Sequence, residues 1–270
     1  MKQLLNQWLK NSQLLNIEVL KHTIFKRIIF KPSCLLCASL QPQGLSPQNI
    51  PAKAGYSCVK ANNHAACRAC LNDLPWHPKT SCPQCGLASS GQLCGSCISS
   101  SPDFDATTSV FLYDYPIDAM MQRYKYGNML NLGHTFGQLL SEKLSLENID
   151  LIIPMPMHPT RLKERGFNQA LEIAKVLTKN CKDKLDYKNV ERQTLTPPQA
   201  SLPLKERVKN IKGAFKVNAE VKDKIAGKRI AIVDDVMTTG ASLNELAKTL
   251  KKAGASHVEC WIIARTLPHK

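Results

Sequence analysis

One stretch limits the folds open to this chain more than any other: IAIVDDVMTTGAS, residues 230–242. An apolar run of strand composition ends in two adjacent acids, and a Thr/Gly turn leads into a helix-forming segment. A strand that feeds a helix through so short a turn sets backbone N–H groups at a helix N-terminus, where anions are favoured. Gly240 lets the backbone approach a ligand closely. Thr238, Thr239 and Ser242 add hydroxyl donors, and Ala241 completes the turn. Asp234 and Asp235, at the carboxyl end of a parallel strand, are placed to accept hydrogen bonds from sugar hydroxyls. The plainer alternative is an ordinary strand–turn–helix with an acidic end. Adjacent aspartates followed by TTG are too particular for it.

The flanking segments supply what a buried parallel strand needs. SVFLYDY (109–115) reads as a strand and DAMMQRYKYG (118–127) as a helix, with a second helix over 132–146. LIIPMP (151–156), RIAIVDD (229–235) and VECWIIAR (258–265) are short apolar runs of the kind that both faces of a parallel sheet bury. Residues 167–180 suit a helix with Leu171, Ala174 and Leu177 on one face, and 241–254 a helix that stops at Gly254. The polar, Pro-containing stretch 188–213 reads as a loop. Alternating strands and helices imply an α/β fold: a parallel sheet flanked by helices.

The other strong signal is cysteine. The chain has 11, and eight form four C-x-x-C pairs: Cys34/Cys37, Cys67/Cys70, Cys82/Cys85 and Cys94/Cys97. Each pair can form a knuckle that points two thiolates at one metal, and two knuckles complete a tetrahedral structural zinc site. Cys82, Cys85, Cys94 and Cys97 are close in sequence and read as one compact ribbon. Cys34, Cys37, Cys67 and Cys70 then make a second site, so about two zinc ions are expected. In that second site 29 residues separate Cys37 from Cys67, and they hold Cys58 and His64, either of which could replace a ligand. Interleaving of the pairs is also open. Cys260, inside a strand, reads as a core residue.

Hydrophobic residues make up 43% and charged residues 21%, which excludes wholesale disorder. The net charge of +15 is the unusual quantity. Residues 1–100 hold 10 basic and 2 acidic side chains, and residues 151–215 hold 13 and 6. Such surfaces attract nucleic acid, anionic lipid or phosphorylated small molecules, or simply aid solubility. Residues 1–31 have apolar positions three and four apart and read as an amphipathic helical extension that packs on a domain or partner, or lies on a membrane surface. No apolar run approaches the ~20 residues a bilayer span needs, and no secretory signal is seen. A cytoplasmic chain is expected. The organisation expected is therefore 1–31 extension, 32–102 double zinc-ribbon module and 103–270 sheet domain. Lys53, Lys60, Arg68, Lys79 and Trp76 make the ribbon module a candidate surface for nucleic acid or for a protein.

The 230–242 segment resembles the phosphoribosyl-pyrophosphate (PRPP) motif of the type I phosphoribosyltransferases. The resemblance implies that Asp234 and Asp235 hold the ribose hydroxyls, that residues 238–242 hold the 5′-phosphate, and that Mg²⁺ accompanies the pyrophosphate. Ala231 is smaller than the residue usual in that family. The segment 152–175, with His158, Arg161, Lys163, Arg165 and Gly166, corresponds to the loop that meets pyrophosphate. RGFNQ (165–169), the RQT…Q…R..N…AF run from 192 to 215, VDDVMTTGAS and a terminal WIIART (261–266) bring a closer resemblance, to the ComF family of competence-associated proteins, over roughly residues 32–268. It implies zinc knuckles joined to a phosphoribosyltransferase-like domain, in a protein of DNA uptake and natural transformation that handles single-stranded DNA. His158, Arg161, Arg165, Arg192 and Arg207 are the expected pyrophosphate or DNA contacts. Arg165 and Asn168 could instead fix their loop internally.

Three functions follow. The first is a binding protein for single-stranded DNA with a PRPP-type pocket, working with competence or DNA-processing proteins. The second is an active phosphoribosyltransferase of nucleotide salvage using PRPP and Mg²⁺. The third is an adaptor at the inner face of the membrane. The stretch 188–213 serves the first as a strand-contacting loop and the second as a hood over PRPP.

Overall fold

The computed structural model describes residues 34, 36–37, 66–127, 129–195, 211–218 and 222–268. The expected 1–31 helix, Cys58, His64 and Arg207 lie outside the described residues. The described residues fall into two compact units, one ending at Asn72 and the other beginning at Asp73. In the first, Cys34 and Cys37 meet Cys67 and Cys70, and a short helix, α1 (Arg68–Asn72), begins within the second knuckle and carries Cys70.

The second unit opens with residues 73–94 and the helix α2 (Gly95–Ser99). Strand β1 (Ala106–Leu112), helices α3 (Ile117–Tyr126) and α4 (Leu130–Ser141), and strand β2 (Leu151–Pro154) follow. Next come α5 (Pro159–Arg165), α6 (Gln169–Leu177), and the short strands β3 (Val190–Arg192) and β4 (Phe215–Val217). Helix α7 (Lys222–Ile225), strand β5 (Arg229–Met237), helix α8 (Ala241–Lys252) and strand β6 (His257–Arg265) complete it.

Among the described residues, β1, β6, β5 and β2 form a parallel sheet in that order. The expected α/β sheet flanked by helices is the one observed. The central strands are apolar because both faces are covered: Ile230 to Val233 and Cys260 to Ala264 are almost wholly buried. Ile230, Ile232, Val258, Cys260 and Ile262 join one hydrophobic cluster with Leu243, Leu246 and Leu250 of α8. Alternate strand residues point to opposite faces, and α4 and α6 pack on the sheet and on each other. The α4–α6 approach needs a glycine: a Cβ at Gly137 would lie 2.6 Å from Val176 Cβ.

Two sequence expectations change. The stretch 188–213 is not all loop, because β3 and β4 pair antiparallel, with Val190, Phe215 and Val217 buried. Three-residue strands alternating with charges carry too few apolar positions to show in a pattern. The buried face of α6 is Ala170, Ile173, Ala174 and Leu177, and Leu171 is only half-buried. Asn168 starts the helix by accepting from the N–H groups of Ala170 and Leu171, and Ala174 and Leu177 of the expected face are buried as expected.

The edge of β1 is covered by the segment that carries the second pair of knuckles. The Thr107 N–H donates to the Pro83 carbonyl, the His77 N–H to the Val110 carbonyl and the Leu112 N–H to the Pro75 carbonyl. The Thr107 hydroxyl donates to the Gln84 carbonyl at 2.6 Å. Trp76, part of the candidate ribbon surface, lies against Phe111 with ring centroids 4.8 Å apart and stays 37% exposed. Among the described residues, no helix is long and apolar enough to cross a membrane.

Candidate ligand cleft and metal centres

Strand β5 delivers two carboxylates to the carboxyl end of the sheet in different states. Asp235 is 8% exposed and its Oδ1 lies 3.1 Å from Lys125 Nζ. Burial works against the Lys125 charge, but Asp235 and then Asp234 outweigh it and hold its ammonium above the ordinary lysine range. Asp234 accepts from the Asp235 N–H at 2.8 Å. Burial first, and the charge of Asp235 second, push its carboxyl up to about 7, against the opposing pull of Lys125 and Arg192. An ion pair and a carboxyl with a raised pKa thus share the strand end.

The turn that follows is tightly defined. Thr239 Oγ1 accepts from the Ala241 N–H at 3.2 Å. Gly240 has φ +80°, a left-handed conformation that favours glycine, and a Cβ there would meet only the movable Met237 methyl at 2.7 Å. From Ala241 a 12-residue helix begins, and its first N–H groups have no partner within the helix ladder.

Asp234, Asp235 and residues 238–242 line a cleft of about 1330 Å³. The same cleft is lined by His158, Arg161, Arg165 and Arg192, whereas Lys163 and Gly166 of the same segment are not among its lining residues. Their roles differ. His158 caps α5, its Nδ1 accepting from the Thr160 N–H at 3.2 Å. Arg165 donates to Gln169 Oε1 at 2.9 Å and to the Tyr126 hydroxyl at 3.3 Å, with its guanidinium 5.0 Å from the Tyr126 ring centroid. Asn168 is internal to the loop, donating to the Met155 carbonyl at 3.1 Å. Burial pushes the Arg192 guanidinium below its ordinary range, and Asp234 partly restores it.

Sequence reasoning missed Lys125, Tyr126 and Arg265, which also line the cleft. Lys125 and Tyr126 stand in YKYG (124–127) at the end of a helix whose buried face is Ile117, Met120, Met121 and Tyr124. A lysine there reads as solvated until the acids opposite it are known. Arg265 had a clearer signal, a charge ending the wholly apolar run WIIA. The ribbon supplies a further wall through Ser96, Ser100 and Ser101.

The cysteines gather as two tetrads, Cys34, Cys37, Cys67, Cys70 and Cys82, Cys85, Cys94, Cys97, each with its Sγ atoms within 4.8 Å of one another. These are the two sets expected from sequence, and among the described residues no cysteine is in a disulfide. The donors fit zinc. Tetrahedral Zn–S bonds place sulfurs about 3.8 Å apart, and Cys37–Cys67 and Cys85–Cys94 stand at 3.8 and 3.5 Å. Backbone N–H groups point at sulfur as charged thiolates need: Cys67 to Cys34 Sγ at 3.2 Å and Cys94 to Cys82 Sγ at 3.4 Å. Burial opposes ionisation of Cys82, but the N–H groups of Cys85, Cys94 and Gln84 outweigh it and bring its thiol to about 6. Zinc bound here would close each set as a structural site.

The sheet, the acidic strand end and the turn define a phosphoribosyltransferase-type domain, and the family profile of the phosphoribosyl transferase domain matches residues 162–267. The chain is 32% identical to "Competence protein F" of Haemophilus influenzae over 229 residues, covering 78% of this chain and 97% of that protein. It therefore belongs to the ComF family. It is also 32% identical to "DNA utilization protein YhgH" of Escherichia coli O6:H1, over 70% of this chain and 86% of that one. "Competence protein ComFC" of Streptococcus pneumoniae is 24% identical, over 86% and 99% respectively. Among solved structures, one described as the allosteric regulatory enzyme of purine biosynthesis aligns with a TM-score of 0.32 and 19% identity, over 52% of this chain and 29% of that chain. That overlap is too partial to bear on function.

Proposed function

We propose that this chain is a DNA-handling protein of natural transformation that binds single-stranded DNA through its basic surface and a PRPP-type ligand in the cleft. The observation that carries the reading is the cleft itself. It gathers in one cleft the acids Asp234 and Asp235, the turn of residues 238–242, and Arg161, Arg165 and Arg192. A ribose carrying phosphate at both ends matches that polarity. DNA binding is supported by the net charge of +15 and by relatives named for competence and DNA utilization. Tyr126, 67% exposed with Arg165 on its ring, offers an aromatic face to a base. In this reading zinc fills both tetrads, Mg²⁺ arrives with the pyrophosphate, and the protein works in the cytoplasm or at the inner face of the membrane with other competence or DNA-processing proteins.

Fluorescence anisotropy of labelled single-stranded DNA at several salt concentrations tests the DNA half. Binding at micromolar protein or tighter, weakening steeply with salt, is expected. Absence of binding at low salt would overturn it. For the ligand half, replacing Asp234 and Asp235 together by alanine should abolish PRPP binding in calorimetry and leave the circular dichroism spectrum unchanged. Unchanged affinity would refute the site.

A second reading is phosphoribosyl transfer to a base. It is favoured by the size of the cleft and by the ribbon wall of Ser96, Ser100 and Ser101, which leaves room for an acceptor beside the sugar. The C1–oxygen bond to pyrophosphate would break as a C1–nitrogen bond forms, with Arg161, Arg165 and Arg192 stabilising the departing charge. Mg²⁺ bound with the pyrophosphate would share that charge. Pyrophosphate release from PRPP with any nucleobase establishes this reading.

A further inference from the structure

The phosphate turn is held from behind by a side chain its own segment does not supply. Arg265 ends β6 and is 4% exposed. Its Nε donates to the Cys85 carbonyl at 2.8 Å. Its Nη1 donates to the Met237 carbonyl at 3.0 Å, to the Thr266 carbonyl at 2.8 Å and to the Thr238 carbonyl. One planar fork therefore spans two segments with separate tasks. Cys85 is a knuckle residue of the second tetrad, with its sulfur 3.5 Å from that of Cys94. Met237 and Thr238 lead into the turn, and Thr238 and Thr239 line the cleft.

Peptide geometry gives the bridge a consequence. In a trans peptide the C=O and N–H point in opposite directions. Fixing the Thr238 carbonyl on Arg265 aims the Thr239 N–H away from Arg265. The next stretch is fixed in turn by the Thr239 hydroxyl, which accepts from the Ala241 N–H. On the far side, a metal that binds Cys85 and Cys94 fixes the backbone on which the Nε–H rests.

We infer that Arg265 is a positioning residue that sets the phosphate turn from the metal knuckle, so that the anion affinity of residues 238–242 depends on metal at Cys82, Cys85, Cys94 and Cys97. The inference rests on the reading of that turn as a phosphate site. It assigns the ribbon a task beyond local stability: it is the footing from which the turn is aimed.

The test uses the full chain, zinc-loaded, as wild type, Arg265→Lys and Cys94→Ser. Lysine keeps the charge but has no planar fork to reach both carbonyls. Hydrogen–deuterium exchange is followed in peptides covering 237–243, and 229–236 serves as the internal reference for the sheet. In both variants the turn peptide should exchange about tenfold faster, the scale of one lost charged hydrogen bond, while the reference holds. Metal analysis should show one zinc lost from Cys94→Ser and none from Arg265→Lys. Turn exchange equal to wild type in Arg265→Lys would overturn the inference, as would acceleration that appears equally in 229–236. PRPP titration runs alongside, with affinity expected to fall about tenfold in Arg265→Lys. A wild type that takes no PRPP sinks the ligand reading, whereas the exchange result judges the bridge separately.

Discussion

In the tetrad of Cys82, Cys85, Cys94 and Cys97 three of the four ligands are buried and join the cluster that includes Leu243, Leu246 and Cys260. In the tetrad of Cys34, Cys37, Cys67 and Cys70 only Cys34 is buried, and Cys37 is exposed. The chemistry is the same and the support is not. The second tetrad closes a loop of eight residues between its pairs and shares its surroundings with the sheet. The first must close 29 residues, with four thiolates as its visible means. A metal in the first site organises its own unit. A metal in the second is part of the footing of a ligand cleft.

The sharpest way to break this contrast is to remove one ligand from each site. Cys85→Ser should reduce zinc from two to one per chain and lower the main thermal transition by ~10 °C or more, since metal binding there is folding energy for the sheet's flank. Next comes the titration of the cleft. Asp234, near 7 in the folded chain, contributes stability while protonated and loses it as pH rises from about 4 to about 7. Asp234→Asn should therefore gain stability relative to the parent across that window, seen as diverging melting curves. If Asp234 holds ribose hydroxyls as proposed, its anionic form is the better acceptor, so PRPP affinity should rise severalfold from pH 6 to 8 and go flat in Asp234→Asn. Curves that rise equally in both would refute the assignment of that step. Thr107→Val removes the hydroxyl contact between β1 and the Gln84 carbonyl and should cost about 1 kcal/mol in denaturant unfolding. Smallest is Cys37→Ser. It should also lose one zinc yet move the main transition by less than ~2 °C, because the sheet's cooperative unit does not include it. A shift as large as that of Cys85→Ser would erase the distinction between the two tetrads.

The parts legible from sequence are those whose physics is local. Ile230 to Asp235 read as a buried strand because the run is apolar and ends in charge. Both tetrads read correctly because C-x-x-C spacing has few other uses. Arg265 stayed hidden because its partners are carbonyls, which no residue type advertises, and the Cys85 carbonyl lies 180 positions away. Lys125 stayed hidden for a related reason: a lysine at a helix end gains its meaning from Asp235, which another element supplies. His158 is legible from its place in a basic loop; it lines the cleft, and its ring also starts α5.

The cover that residues 75–83 lay along β1 decides where this chain can be cut. The composition changes near residue 103, an inviting place to trim a cysteine-rich leader from a sheet domain. Such a fragment would bare the Thr107 and Leu112 N–H groups and the Val110 carbonyl along an outer strand whose Val110 and Phe111 are buried. That row is a template for another copy's strand, so the trimmed domain would stack with its own kind. Among the described residues, the stretch 75–83 is what covers that row.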